Sequence, residues 1–202
     1  MEVKLQLAAS KSSRWARMVS DILSPPVVWG FLMILIAFSV APDLSHALIW
    51  SGIYIALVCI LPVIYIAIMV YRGKITDIHM PYRRERYLPF IVTLIASLVA
   101  WAILAAIEAP AALPYIASFS IVQIAVMGLI TIFWQISMHT MTITGAAIAL
   151  GVSFGLIYTL LAIPVILLVG AARLSLKRHT PAQVYAGVFV GCLVPLIILL
   201  IS

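Results

Sequence analysis

The stretch HTMTITGAAIALGVSFGLIYTLLAIPVILLVGAAR, residues 139–173, decides the fold, because no charged residue interrupts it between its histidine and its arginine. The 33 residues between those ends would measure about 50 Å as one straight helix at 1.5 Å per residue. The hydrocarbon layer of a membrane is only about 30 Å thick. We therefore predict a hairpin of two short helices, 141–155 and 159–172, with Gly151 and Gly155 allowing close backbone contact near the turn.

The rest of the chain is equally apolar. Hydrophobic residues make up 65% of the 202 residues, charged residues 9%, and the mean hydropathy is +1.24. That leaves too little polar surface to cover a soluble globule. We predict an all-α, polytopic transmembrane helical bundle of about six to seven crossings, with a basic tail at 1–21 and one helical domain at 22–202. The remaining apolar segments are 22–41, 48–71, 88–107, 116–134 and 183–201.

The hairpin also determines where the charges lie. With it, all 12 Lys and Arg residues fall on one face of the membrane. The positive-inside rule makes that face cytoplasmic, and we expect a bacterial or archaeal cell membrane. Eight of these residues could lie on this face because they bind a ligand, so they are weaker evidence for the orientation of the chain. The four in the N-terminal tail indicate a cytoplasmic face independently of any binding function.

Three polar clusters reach this face, at 73–86, 134–140 and 172–183. Each cluster has a simple explanation when it is considered alone. The first would be a solvated loop, and the second a helix cap at Ser137 with a hydrogen-bonded histidine. The third would be a basic segment that contacts anionic lipid headgroups. Taken together, they contain the parts of a phosphate site. Thr180 and Pro181 are typical of a helix start, and Thr140 would start the first helix of the predicted hairpin. Two helix N-termini and several arginines would then surround one anion.

The acidic residues restrict the chemistry. Only six are present, and only Asp77 and Glu85 lie in the polar clusters, whereas two-metal phosphate hydrolysis needs a group of carboxylates. We therefore expect no metal and no cofactor. Histidine chemistry remains, with one imidazole as nucleophile and another as proton donor to the departing alkoxide.

The clusters resemble the motifs of the type 2 phosphatidic acid phosphatase superfamily, the membrane branch of the vanadium haloperoxidase fold. Its third motif is Ser-Arg, five residues, His, three residues, Asp, and its second is Pro-Ser-Gly-His. Its first, Lys, six residues, Arg-Pro, is matched only loosely. The resemblance covers about 72–192, and the matching positions are Ala172, Arg173, His179 and Gln183; Ile136, Ser137, Met138 and His139; and Lys74 with Arg83 or Arg86.

The resemblance implies a role for each matched residue. His179 would attack phosphorus to give a phosphohistidine, and His139 would protonate the leaving group. Ser137 would hydrogen-bond a phosphate oxygen. The phosphate charge would be neutralised by Arg173, Lys74 and one of Arg83, Arg84 or Arg86.

The chain departs from the family at one important position. Gln183 stands where the family has the aspartate that orients the nucleophilic histidine. An amide can accept an imidazole N–H, but it cannot stabilise an imidazolium as a carboxylate does. Asp77 is a candidate to supply that carboxylate. Family members usually carry the site on the extracytoplasmic side, whereas the number of crossings and the basic tail place it on the cytoplasmic side here.

These observations leave three functions open. The first is a metal-independent phosphatase of membrane lipids, acting on phosphatidic acid, phosphatidylglycerol phosphate or an isoprenoid diphosphate. The second is a non-catalytic relative that binds phospholipid or a protein partner, as Gln183 suggests. The third is a small transporter, although ionisable residues in mid-membrane are nearly absent. We expect no nucleic-acid partner, and Gly187 and Gly191 could pack helices within the bundle or in a homo-oligomer.

Overall fold

A computed structural model of the chain describes residues 14–78, 80 and 82–201. The described part contains eight helices and no strand, which confirms the predicted all-α polytopic bundle. Residues 1–13 of the predicted basic tail lie outside the described residues. The helices are α1 Arg14–Ile22, α2 Pro25–Val40, α3 Leu44–Tyr71, α4 Tyr87–Ala106, α5 Ala112–Phe133, α6 Met138–Phe154, α7 Leu156–Ser175 and α8 Pro181–Ile201.

Helix lengths agree with a membrane-spanning bundle. Five helices, namely α3, α4 with the 3₁₀ turn before it, α5, α7 and α8, are long and apolar enough to cross a membrane. Helices α1 and α2 bend by 44° at the break between them, and they would add a sixth span if the bent pair crosses the membrane as one unit. The apolar helix α6 is shorter, with 17 residues. These features identify the chain as an integral membrane protein.

Two helix starts differ from the sequence-based boundaries. Part of the predicted tail is the helix α1, and the break after it precedes Pro25, where the fixed proline φ suits the first position of a new helix. The next helix begins at Leu44 instead of residue 48, because the Asp43 carboxylate accepts the His46 N–H at 2.9 Å and caps the helix.

The predicted hairpin is confirmed. Only Gly155 separates α6 from α7, and its φ of 112° is a conformation that side-chain-bearing residues rarely adopt. The Thr159 hydroxyl donates to the Ala147 carbonyl at 3.0 Å, and a Cβ on Gly151 would lie 1.9 Å from the Thr159 Oγ1. The two helices therefore touch closely just below the turn, and the chain returns to its starting face.

Helix α6 forms the centre of the bundle, with α2, α5, α7 and α8 packed around it. Most of its side chains are small or threonine, and nine of its residues are buried. Its closest neighbour is α8, where a Cβ on Gly187 would lie 2.5 Å from the Ser137 carbonyl oxygen and one on Gly191 would lie 2.5 Å from that of Met141. This glycine spacing therefore packs helices inside the bundle.

Replacing Gly191 by alanine is expected to destabilise the protein, because the added methyl group would strike backbone atoms of α6 that cannot move away cheaply. Overpacking of this kind costs roughly 1–3 kcal/mol. The measurement is the thermal unfolding midpoint in detergent, which should fall by several degrees.

Gly52→Ala is the matched control, since nothing lies within 4 Å of a Cβ at that helical position. Its midpoint should stay level or rise, because alanine favours the helix by about 1 kcal/mol over glycine. Equal midpoints for the two variants would show that α6 and α8 do not pack as described.

Candidate functional site

A cavity, hereafter the polar cavity, lies at the basic end of the bundle, between α1, α2, α3, α6, the end of α7 and the loops before α4 and α8. Most of its wall is apolar, and several charged and polar side chains also line it. Ser20 joins two of the predicted catalytic residues, one through its side chain and the other through its backbone. Arg173 Nη1 lies 3.4 Å from the Ser20 hydroxyl, and His139 Nε2 lies 3.2 Å from the Ser20 carbonyl oxygen. The hairpin thus brings the second and third polar clusters together, and the lining includes His139, Arg173, His179, Arg86, Ser20 and Asp21.

The N-termini of α6 and α8 lie side by side beneath this cavity. Ser137 N donates to the Gln183 carbonyl at 3.0 Å, and the Thr140 hydroxyl donates to the Val184 carbonyl at 3.1 Å. The start of α6 is at Met138 with Ser137 as its cap, two residues before the start predicted at Thr140. The positive ends of both helix dipoles therefore act on the same region, where an anion is stabilised.

Helix α8 begins at Pro181 with Thr180 as its cap, as the Thr180-Pro181 pair predicted, and Gln183 completes a capping box. Gln183 N donates to the Thr180 hydroxyl at 3.4 Å, and Thr180 N donates to Gln183 Oε1 at 3.0 Å. The same Oε1 lies 3.3 Å from His179 Nδ1. Because an amide oxygen can only accept, this contact favours the proton on Nδ1 and leaves the lone pair on Nε2.

The electrostatic environment keeps His179 neutral. Burial, followed by the positive charges of Arg173 and Arg86, lowers the pKa of His179 to about 4, and the Gln183 hydrogen bond opposes the shift. At neutral pH the imidazole is thus an uncharged base. Its unprotonated Nε2 has the electronic state that a nucleophile requires.

Arg173 is a buried cation without a full set of partners. The residue is 5% exposed, and its Nε has no hydrogen-bond partner among the described residues. Arg86 also lines the cavity and donates from Nε to the Met80 carbonyl at 2.9 Å. Asp21 is the single acidic residue in the described lining. A buried, incompletely paired cation is costly, so this arrangement favours an anion in the cavity.

The structure separates the other predicted phosphate ligands from this cavity. Arg83 donates to the carbonyls of Ile132 and Phe133, at 3.2 and 2.7 Å, and so caps the C-terminal end of α5. Lys74 and Arg84 are exposed and do not contribute to the described lining. Ser137 is fully buried, and its hydroxyl caps α6. Of the arginines in the first cluster, only Arg86 faces the site.

Three more residues lie where the sequence alone did not place them. Asp77, the candidate carboxylate, lies 3.7 Å from Arg178 in an ion pair. Ser20 and Asp21, which line the cavity, escaped the sequence analysis because no motif or spacing marks them. The bend between α1 and α2 places them there.

Among the described residues, no group of three or more His, Cys, Asp or Glu side chains is placed to hold a metal ion. Comparisons with protein-family models, curated proteins and solved structures found no match to this chain. The family resemblance therefore rests on the motif residues alone.

The environment of His179 predicts an unusual titration. The wild-type imidazole should remain neutral down to about pH 4, and Gln183→Glu should raise its pKa, because a carboxylate beside Nδ1 favours the imidazolium. The measurement is the ¹³C or ¹⁵N NMR shift of His179 against pH in detergent.

Thr180→Ala is the control, since it removes the hydroxyl of the capping box without adding charge. It should leave the pKa of His179 well below 6. An ordinary pKa near 6.5 in the wild-type protein would contradict the described burial.

Proposed function

We propose that the chain is a metal-independent phosphatase of membrane lipids that acts through a phosphohistidine. The observation that carries the proposal is the partly unpaired, buried guanidinium of Arg173 in one cavity with His139 and His179. The cavity lies at the end of a membrane bundle, where a lipid headgroup resides. The motif resemblance supports the same chemistry, and the positive-inside rule favours a cytoplasmic site.

The proposed first step uses the neutral Nε2 of His179 to attack phosphorus. A P–N bond forms as the P–O bond to the lipid breaks, and the departing alkoxide takes a proton from protonated His139. Arg173, Arg86 and the two helix N-termini stabilise the phosphoryl oxygens. In the second step His139 accepts a proton from water, which attacks phosphorus and releases inorganic phosphate and free His179.

Phosphate release should be measured for the protein in detergent against a panel of lipid phosphates and diphosphates, without added metal. His179→Ala should abolish turnover, because it removes the nucleophile. His139→Ala should slow lipid substrates by about 10²–10⁴-fold. The same variant should slow p-nitrophenyl phosphate much less, since that leaving group needs no proton.

The control is His46→Ala, an exposed histidine paired with Asp43 far from the cavity, which should keep full activity. The wild-type protein can also be quenched during turnover of a substrate with a radiolabelled phosphate. Label that stays on the protein and is released by acid would report the phosphohistidine. Failure of the wild-type protein to release phosphate from any substrate would refute the enzymatic proposal.

Arg86 and Arg84 form a matched pair for testing the phosphate-binding role. Arg86→Ala should weaken binding of inorganic phosphate or vanadate at least tenfold, because a charge-assisted hydrogen bond contributes about 1.5–3 kcal/mol. Arg84→Ala removes an equal charge from an exposed position and should change affinity little at physiological salt. Equal losses would point to general surface attraction instead of a defined site.

A non-catalytic lipid-binding relative is the second candidate, favoured by one observation. Gln183 completes the capping box of α8 and cannot stabilise an imidazolium as a carboxylate would. In that case lipid phosphates would bind and raise the unfolding temperature, while the assay above would detect no turnover.

A further inference from the structure

The last turn of α1 presents to the polar cavity a carbonyl that its own helix does not use. The Val19 and Asp21 carbonyls on either side accept backbone N–H groups, at 2.9 and 3.3 Å. The Ser20 carbonyl between them accepts no backbone N–H of the described residues, and it lies 3.2 Å from His139 Nε2. Because a carbonyl oxygen can only accept, this contact keeps a proton on that nitrogen.

This contact suits a histidine that acts as an acid. The last carbonyls of a helix lack intrahelical donors and carry the negative end of the helix dipole. A protonated imidazole forms a stronger hydrogen bond to such an oxygen than a neutral imidazole does. The end of α1 thus offsets the positive end of α6, in whose first turn His139 lies.

The Ser20 side chain contacts the second member of the site. Ser20 is 2% exposed, and its hydroxyl accepts from Arg173 Nη1 at 3.4 Å. This is the single hydrogen bond that the Arg173 guanidinium makes with a described residue. The orientation of the guanidinium therefore depends on one hydroxyl group.

Arg173 has open space around it, so that dependence matters. It lines the polar cavity and also a neighbouring one, whose wall includes Arg17, Lys177 and Arg178. Ser20 belongs to both walls. A long side chain beside open space can adopt several rotamers, and holding it in one of them costs conformational entropy. The bond to Ser20 is the contact that restricts it.

We propose that Ser20 is a positioning residue of the active site, with its hydroxyl holding the Arg173 guanidinium and its carbonyl holding the His139 imidazole. The inference rests on the proposed function, which gives these side chains the roles of phosphate-binding cation and proton donor. One residue of α1 then fixes the two relative to each other, as catalysis requires of reacting groups. Ser20 lies outside 72–192, so the family resemblance does not imply this role.

Ser20→Ala tests the hydroxyl, because it leaves the carbonyl in place. Loss of one hydrogen bond should weaken binding of inorganic vanadate roughly three- to tenfold and lower kcat/KM by a similar factor. The lipid phosphate that is hydrolysed fastest and p-nitrophenyl phosphate should lose activity equally, since His139 is still held. His139→Ala, by contrast, should slow mainly the lipid.

Three further variants separate positioning from packing. Ser20→Thr retains a hydroxyl and should recover most of the lost vanadate affinity. In an Arg173→Lys background Ser20→Ala should add little, because the Nη1 donor is already absent. Ser51→Ala is the control, since this buried serine bonds carbonyls of its own helix outside the lining of the polar cavity. It should behave as the wild type.

The carbonyl is tested by replacing the Ser20–Asp21 peptide bond with an ester, which makes the same oxygen a poorer acceptor. The change is introduced with the α-hydroxy acid counterpart of aspartate at position 21. Hydrolysis of the lipid should fall by roughly threefold or more. Hydrolysis of p-nitrophenyl phosphate should stay near the wild-type rate, because its leaving group needs no proton. An ester variant with the wild-type lipid rate would overturn the role of the carbonyl.

Wild-type vanadate affinity and kcat/KM in Ser20→Ala would overturn the inference and leave the phosphatase proposal intact. An equal loss in Ser20→Thr would also overturn it, because it would show a packing effect. If no substrate is hydrolysed, vanadate affinity still decides, since a loss in Ser20→Ala that Ser20→Thr restores would support the positioning of Arg173. Absence of vanadate binding to the wild-type protein would overturn both proposals.

Discussion

The close contact between α6 and α8 is the constraint on which the polar cavity depends. Gly187 and Gly191 let the two backbones approach so closely that any side chain would collide with α6. As a result, the first turns of both helices share hydrogen bonds, from Ser137 to Gln183 and from Thr140 to Val184. His139 belongs to the first turn of α6 and His179 lies two residues before α8, and both line one cavity for this reason. A looser contact would separate the two histidines and the two dipole ends together.

The hairpin has the complementary role of returning Arg173 to the same face. The membrane thickness requires the chain to turn, and the positive φ of Gly155 allows it to do so with a single residue between helices. Arg173 then ends up buried beside Ser20, near the positive charges of Arg178 and Arg86, and Asp21 is the acidic side chain close to it. A cation in such a place destabilises the protein unless an anion binds it. Binding of the anion that we propose would therefore also stabilise this part of the fold.

The sequence predicted those features that follow from membrane thickness and from helix-start chemistry. Residues 139–173 had to fold back, and Thr180-Pro181 had to begin a helix, so both predictions held. The sequence could not show which of three neighbouring arginines faces the cavity, because a short 3₁₀ turn directs Arg83 to the end of α5 and Arg86 inward. Ser20 and Asp21 were missed for a similar reason. Their position depends on the 44° bend after α1, which falls at the Ser24-Pro25-Pro26 helix start, whereas we predicted one continuous segment over 22–41.

Two unpaired buried side chains of the bundle differ in their surroundings, and that difference bears on where a ligand could bind. Arg173 lines one cavity with His139 and His179, and its guanidinium suits a charged group. The Gln123 amide packs against α6, where a Cβ on Gly145 would lie 1.7 Å from its Nε2. Each unsatisfied buried group costs about 1–3 kcal/mol. An anion in the cavity would offset that cost at Arg173 and not at Gln123, so the guanidinium is the group that bears on the proposed ligand.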